Sequence, residues 1–212
     1  LLKQKYQRKI KALASLLFFR AFRAFRVFRV FRVFRGLGFL PLEFAAMRSV
    51  LAIRESYAAG KAALKARFDV PAQAAPLLNS LAHLTDKTLI ELWERHEFTC
   101  DVLLCAVGGY GRGELYPYSD VDLLVLLPDQ PSPALLEKLE ILVGELWDIG
   151  IEVGHSVRTT TDCLAEAEKD ITVQTALLET RVLCGDKSRF LAFMDTVHRH
   201  IDPKEFFEAK LI

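Results

Sequence analysis

From Glu43 onward the chain alternates between stretches whose apolar residues recur at helical spacing and short runs that are apolar throughout. EFAAMRSVLAIRESYAAGKAALKARF, beginning at Glu43, carries Ala, Leu, Arg and Lys at helical intervals and predicts one or two amphipathic helices. DVPAQAAP, with two prolines, predicts a break. A second helix is predicted over Asp86–Phe98, with Thr85 or Asp86 as its cap and Leu89, Leu92 and Trp93 on one face. DVLLCAV (101–107) and VDLLVLL (121–127) lack helical length and read as buried strands, while IEVGHSVRT (151–159) alternates like a third. PALLEKLEILVGELWDIG (133–150) lies between them and is helical in pattern. TDCLAEAEKD, ITVQTALLETRVL and DKSRFLAFMDTVHRH read as helices with Asp162, Asp170 and Asp186 as possible caps, and IDPKEFFEAKLI starts another. The expectation is an α+β fold.

The first 42 residues do not follow this pattern. FFRAFRAFRVFRVFRVFR (18–35) repeats Phe, Arg and an apolar residue with period three, which gives neither a helix nor a strand one clean buried face. Six arginines in those eighteen residues exclude a membrane span and interrupt any signal-peptide core. A basic aromatic arm can touch anionic lipid or nucleic acid. The repeat is better read as a low-complexity extension, disordered or spurious, and no nucleic-acid partner is expected.

Charge sharpens the boundary. Residues 1–42 hold 11 Lys and Arg and no Asp or Glu, whereas residues 43–212 hold 17 basic and 27 acidic residues. The body is thus acidic, as in many cytoplasmic enzymes, and no transmembrane segment is expected. Cys100, Cys105, Cys163 and Cys184 form no CxxC pair and have no paired histidines nearby, so reduced cysteines are expected rather than zinc or disulfides. The chain is expected to divide into the extension at 1–42, a helical segment at 43–98, a central domain at 99–190 and the start of a helical region at 191–212. It begins with Leu and stops soon after DPKEFFEAK, which suggests a fragment.

GGYGRGELYPYSDVDLL (108–124) joins the first two predicted strands and concentrates the candidate chemistry. It is not a dinucleotide loop, because Glu114 stands where GxGxxG counted from Gly109 needs its third glycine. It is not a P-loop, because Gly113 is followed by Glu114 and Leu115 instead of Lys and Ser or Thr. Leu123, Val125 and Leu127 rule out a calcium loop, which needs alternating oxygen ligands.

The second strand is expected to open Asp120-Val121-Asp122, and residues two apart on a strand share a face. Two like charges held together repel unless a cation lies between them. Hard oxygen ligands at a shallow site favour magnesium, with substrate phosphates completing its shell. Gly108 and Gly109 leave room for a phosphate and expose backbone N–H groups, and Arg112 and Ser119 could add donors.

A strand, Gly-Gly, and an Asp-x-Asp inside an apolar strand make a pattern similar to that of the polymerase-β-like nucleotidyltransferase superfamily. VGGYGRGELYPYSDVDLLVLLP, LWDIGIEVGHSVRT and LLETRVLCGD resemble more closely the bacterial PII uridylyltransferase/uridylyl-removing enzymes. The likeness extends over roughly residues 45–212, from IRESYAAGKAALKARFD to DPKEFFEAKL. It implies a small mixed sheet with flanking helices behind a helical N-terminal segment. It also implies transfer of UMP from UTP to a tyrosine of the PII signalling protein, with pyrophosphate released. On this resemblance Asp120 and Asp122 hold Mg2+, and Gly108, Gly109 and Ser119, with Arg112 as a further candidate, grip the phosphates.

The superfamily's third carboxylate lies on a later strand, and Glu152 in Ile151-Glu152-Val153 has the expected form. Asp148 reads instead as a helix-end or loop residue. His155 would face away from Glu152 on a regular strand and is read as an ordinary packed or exposed histidine, with a place in the nucleotide site open only after a bend. The family's uridylyl-removing domain carries an adjacent His-Asp pair, and this chain has no such dipeptide; His198 and His200 read as helix surface. Nor are the family's glutamine-sensing ACT domains expected here. Two other readings stay open: a non-catalytic nucleotide-binding module, and a transferase of AMP instead of UMP.

Overall fold

VDLLVLL becomes the central strand β2 (Val121–Leu127) of a four-stranded mixed sheet in the computed structural model, which describes residues 41–67 and 74–211. The Phe-Arg repeat and most of the proline break lie outside the described residues. Residues 46–212 group as one unit, and of the unit before it only 41–45, the start of a helix, are described.

β2 pairs antiparallel with β1 (Leu103–Ala106) and parallel with β3 (Val153–Thr159), and β1 pairs antiparallel with β4 (Arg181–Cys184). The spatial order is β3-β2-β1-β4. β2 has no polar alternation beyond Asp122 because both faces of the sheet are covered. Val121, Leu123, Val125 and Leu127 join one core with Leu89, Leu92, Leu139, Leu142 and Leu146. Leu124 and Leu126 point the other way, into a second core with Cys163, Phe193 and Val197. Each such side chain contributes about 1.5–3 kcal/mol by leaving water.

The first core is closed by helices α1 (Pro41–Ala66), α2 (Ala74–Arg95) and, after the four-residue helix α3 (Gly108–Gly111), by α4 (Pro133–Ile149). α4 matches its predicted span because its ends are written locally. Ser132 accepts a hydrogen bond from Leu135 N, Pro133 opens the first turn, and Gly150 ends the helix at φ 86°. The second core is closed by α5 (Thr160–Ala167), α6 (Ile171–Leu178) and α7 (Lys187–His200), followed by α8 (Pro203–Lys210).

Three expectations need correction. α2 starts at Ala74, so Thr85 and Asp86 are buried within a helix instead of capping one. Their polar groups are used in the interior, where Thr85 Oγ1 donates to Leu81 O (2.9 Å) and lies 3.2 Å from Tyr57 Oη. Thr159 caps α5, and Asp162 completes a capping box as its third residue. The predicted helix through 183 ends at Leu178, and Arg181–Cys184 is a strand because β1 offers it an edge. Asp170 and Asp186 do cap α6 and α7.

Candidate active site

The end of β1 and the start of β2 bring Gly108 to Asp122. Val107 N donates to Asp122 O at 3.1 Å, which ties the turn to the strand. Gly108 has φ +59°, a left-handed conformation that favours glycine, and a Cβ built there would stand 3.9 Å from Asp122 Oδ2. On the other side, β2 and β3 align Asp122 with Gly154, and Val121 N donates to Glu152 O at 2.8 Å. The exposed Asp120–Asp122 end of β2 is therefore flanked by the Gly108 turn and by the entry to β3.

Asp120 and Asp122 are together electrostatically. Burial, and then repulsion from Asp120, push the Asp122 carboxyl above its ordinary range. Glu152 is exposed and lies just before β3, a residue earlier than its apolar neighbours suggested, because the regular ladder opens at Val153. It lies two residues before Gly154, just outside the ladder that opens with the Val121–Val153 pair. Among the described residues no group of three His, Cys, Asp or Glu side chains is arranged to hold a metal ion alone. A divalent cation on Asp120 and Asp122 would thus take further ligands from substrate and water, which suits magnesium. The two crowded carboxylates and the space left by Gly108 and Gly154 fit that use.

The remaining candidates are less free. Arg112 donates to Glu114 Oε2 from Nε (3.1 Å) and Nη2 (3.0 Å) and pairs with Glu179 at 2.7 Å. Those two carboxylates hold its guanidinium above its ordinary value. Gly109 lies beside it, a built Cβ standing 3.7 Å from Arg112 Nη2. Ser119 is exposed, and its hydroxyl donates to Tyr116 O at 3.1 Å. Ser119 and Glu152 both border a cleft of about 290 Å³ that Tyr57 and Lys61 of α1 also line. His155 pairs with Leu123, so it faces away from Asp122, and its ring meets Trp147 edge-on at 6.4 Å. Burial lowers its pKa. Asp148 lies in the last turn of α4, away from the pair, where burial and Glu145 push its carboxyl up.

Gly154 was missed by sequence reasoning, although a lone glycine inside a strand pattern is a signal of close approach. A Cβ at Gly154 would lie 2.6 Å from Asp122 Oδ1, so only glycine leaves that carboxylate where it is. Gly154→Ala is expected to cut turnover about 100-fold by displacing the carboxylate roughly 1 Å. Its far-UV circular dichroism should stay that of the unmodified chain, and undiminished turnover would show that Asp122 does not need this position.

Residues 87–178 match the nucleotidyltransferase domain family. This part of the chain is a nucleotidyltransferase domain, and its α+β sheet with flanking helices is the fold expected of one.

The resemblance to the uridylyltransferase/uridylyl-removing enzymes also holds. The chain is 46% identical over 160 residues to the bifunctional uridylyltransferase/uridylyl-removing enzyme of Cupriavidus metallidurans, covering 76% of this chain and 19% of that protein. It is 45% identical over 160 residues to the enzyme of the same name from Cupriavidus pinatubonensis, covering 76% and 18%. With that of Aromatoleum aromaticum it shares 42% over 171 residues, covering 81% and 20%. The chain therefore spans about a fifth of the length of these curated relatives. A solved toxin–antitoxin structure with AMP-PNP is similar at TM-score 0.37 and 17% identity, over 59% of this chain and 90% of that one. That likeness is too slight to bear on function. No described helix is long and apolar enough to cross a membrane.

Proposed function

We propose that this chain transfers UMP from UTP to a tyrosine hydroxyl of a PII signalling protein, in the cytoplasm, with magnesium held by Asp120 and Asp122. The observation that carries the reading is the carboxylate pair at the head of β2, in which Asp122, its pKa raised by burial and by Asp120, lies between two glycines that leave room around it. The names of the relatives favour uridylyl transfer over other nucleotidyl transfers.

In the reaction the tyrosine oxygen attacks the α-phosphorus of UTP, the bond to the bridging oxygen breaks, and pyrophosphate leaves. Gly108 and Gly109 admit the phosphates beside Asp122, and Ser119 offers a hydroxyl next to Asp120. Glu152, whose carbonyl accepts from Val121 N between the two aspartates, is the third acid of the proposal and receives the tyrosine proton. Magnesium, when bound, neutralises phosphate charge and acidifies the attacking hydroxyl. Arg112 is engaged with Glu114 and Glu179, so it contributes to the phosphates only by exchanging one of those partners.

The test is to incubate the purified chain with magnesium, PII and either labelled UTP or labelled ATP. Label on PII from UTP supports the proposal. Label from ATP alone would make the chain an adenylyltransferase, and nucleotide binding without transfer would make it a non-catalytic module.

A further inference from the structure

Asp86 of α2 and Arg181 of β4 meet beneath the Gly-Gly turn, far from each other in sequence and outside the carboxylate site. Arg181 Nη1 donates to Asp86 Oδ2 at 2.9 Å and Nη2 to Asp86 Oδ1 at 3.1 Å, the two-pronged geometry that only a guanidinium provides. The same guanidinium donates from Nε to Gly111 O (3.2 Å) and from Nη2 to Tyr110 O (3.3 Å). Tyr110 closes the network. Its ring is 2% exposed, and its hydroxyl donates to Asp86 Oδ1 at 2.6 Å. Burial and the Asp86 carboxylate raise the phenol far above its ordinary pKa, so it remains a donor. His83, largely exposed, is a further titratable group near Asp86, its Nδ1 3.8 Å from Oδ2.

Three bonds of this cluster reach the same short segment, and the two between Arg181 and Asp86 brace the groups that hold it. Tyr110 and Gly111 follow Gly108 and Gly109 directly, and the backbone of α3 is fastened by its carbonyls and by one side chain to two other elements. A core needs apolar filling at such a place; a buried carboxylate with two cationic prongs and a phenol instead fixes a position. We infer that Asp86, Arg181 and Tyr110 are positioning residues that hold the Gly108–Gly109 turn at its working distance from Asp122, and so set the affinity for the triphosphate. This rests on the proposed nucleotidyl transfer, and it adds residues that touch no substrate.

The test measures affinity for magnesium-UTP and for UMP in the unmodified chain and in Arg181→Lys, Asp86→Asn and Tyr110→Phe. All are compared at a temperature where circular dichroism shows each one folded. Arg181→Lys and Asp86→Asn should bind UTP about tenfold more weakly, the effect of losing a charge-assisted hydrogen bond, with UMP affinity unchanged. Tyr110→Phe keeps the ring in place and should show a smaller loss in the same direction, so it decides the matter if a charge variant fails to fold. Equal UTP affinity, or parallel losses for UTP and UMP, would overturn the positioning role while leaving the transferase reading intact. An unmodified chain that binds no nucleotide would instead overturn the transferase reading, and this inference with it.

Discussion

Asp122→Asn is expected to lower uridylyl transfer at least about 1,000-fold, since a lost metal ligand costs several kcal/mol at the transition state. The same change should leave the melting temperature unchanged or raise it. The sign follows from the direction of the pKa shift. The fold raises the Asp122 pKa, so its contribution to stability is present at low pH, where the group is protonated, and is lost as pH rises through the folded value. At neutral pH the ionised Asp122 beside Asp120 is therefore a cost to the fold, and a neutral amide removes it. Magnesium should raise the melting temperature of the unmodified chain by binding the native state and should not do so for Asp122→Asn. Asp120→Asn should behave alike in transfer. Single-turnover transfer of label to PII, with melting curves taken with and without magnesium, checks each part. Near-normal transfer by either variant would remove the metal assignment.

The same pair marks how far local pattern can be read. VDLLVLL is apolar on both faces because the sheet is covered on both, and the one polar exception, Asp122, stands where the strand leaves that cover. That contrast was visible in the sequence, and so were the ends of α4, written by Ser132, Pro133 and Gly150. Thr85 and Asp86 were misread because a short polar residue before an apolar run carries the same local signature whether it caps a helix or reaches across the core. Their partners Tyr57, Tyr110 and Arg181 are distant in sequence, and no spacing rule connects them. β4 was hidden for a related reason. LLETRVLC continues a helical spacing, and the exposed edge of β1 is what makes Arg181–Cys184 extended. Gly154 and Gly111 gave only the general signal of glycine, while the atoms that exclude a side chain there belong to other elements.

Gly111→Ala should be the most destabilising single methyl that can be added near the site. A Cβ there would fall 1.8 Å from Glu179 O and 3.0 Å from Ala106 O. Both are backbone atoms, one beside β4 and one in β1, so no rotamer change relieves the clash. α3 would have to move off the segment before β4, and that movement breaks the bonds from Arg181 to Gly111 O and Tyr110 O and loosens Arg112 from Glu179. Overpacking of this kind costs about 3 kcal/mol. For a chain of this size that is a fall of about 10 °C in melting temperature. Gly144, inside α4 with nothing within 4 Å of a built Cβ, is the control. Gly144→Ala should gain up to about 1 kcal/mol, because alanine restricts the unfolded chain and favours the helix. Thermal melting of the two variants beside the unmodified chain separates a packing clash from a general intolerance of glycine replacement. If Gly111→Ala melts within a degree or two of the unmodified chain, the close approach of α3 to Glu179 does not exist in solution, and the Gly108–Gly109 turn is held by something other than this contact.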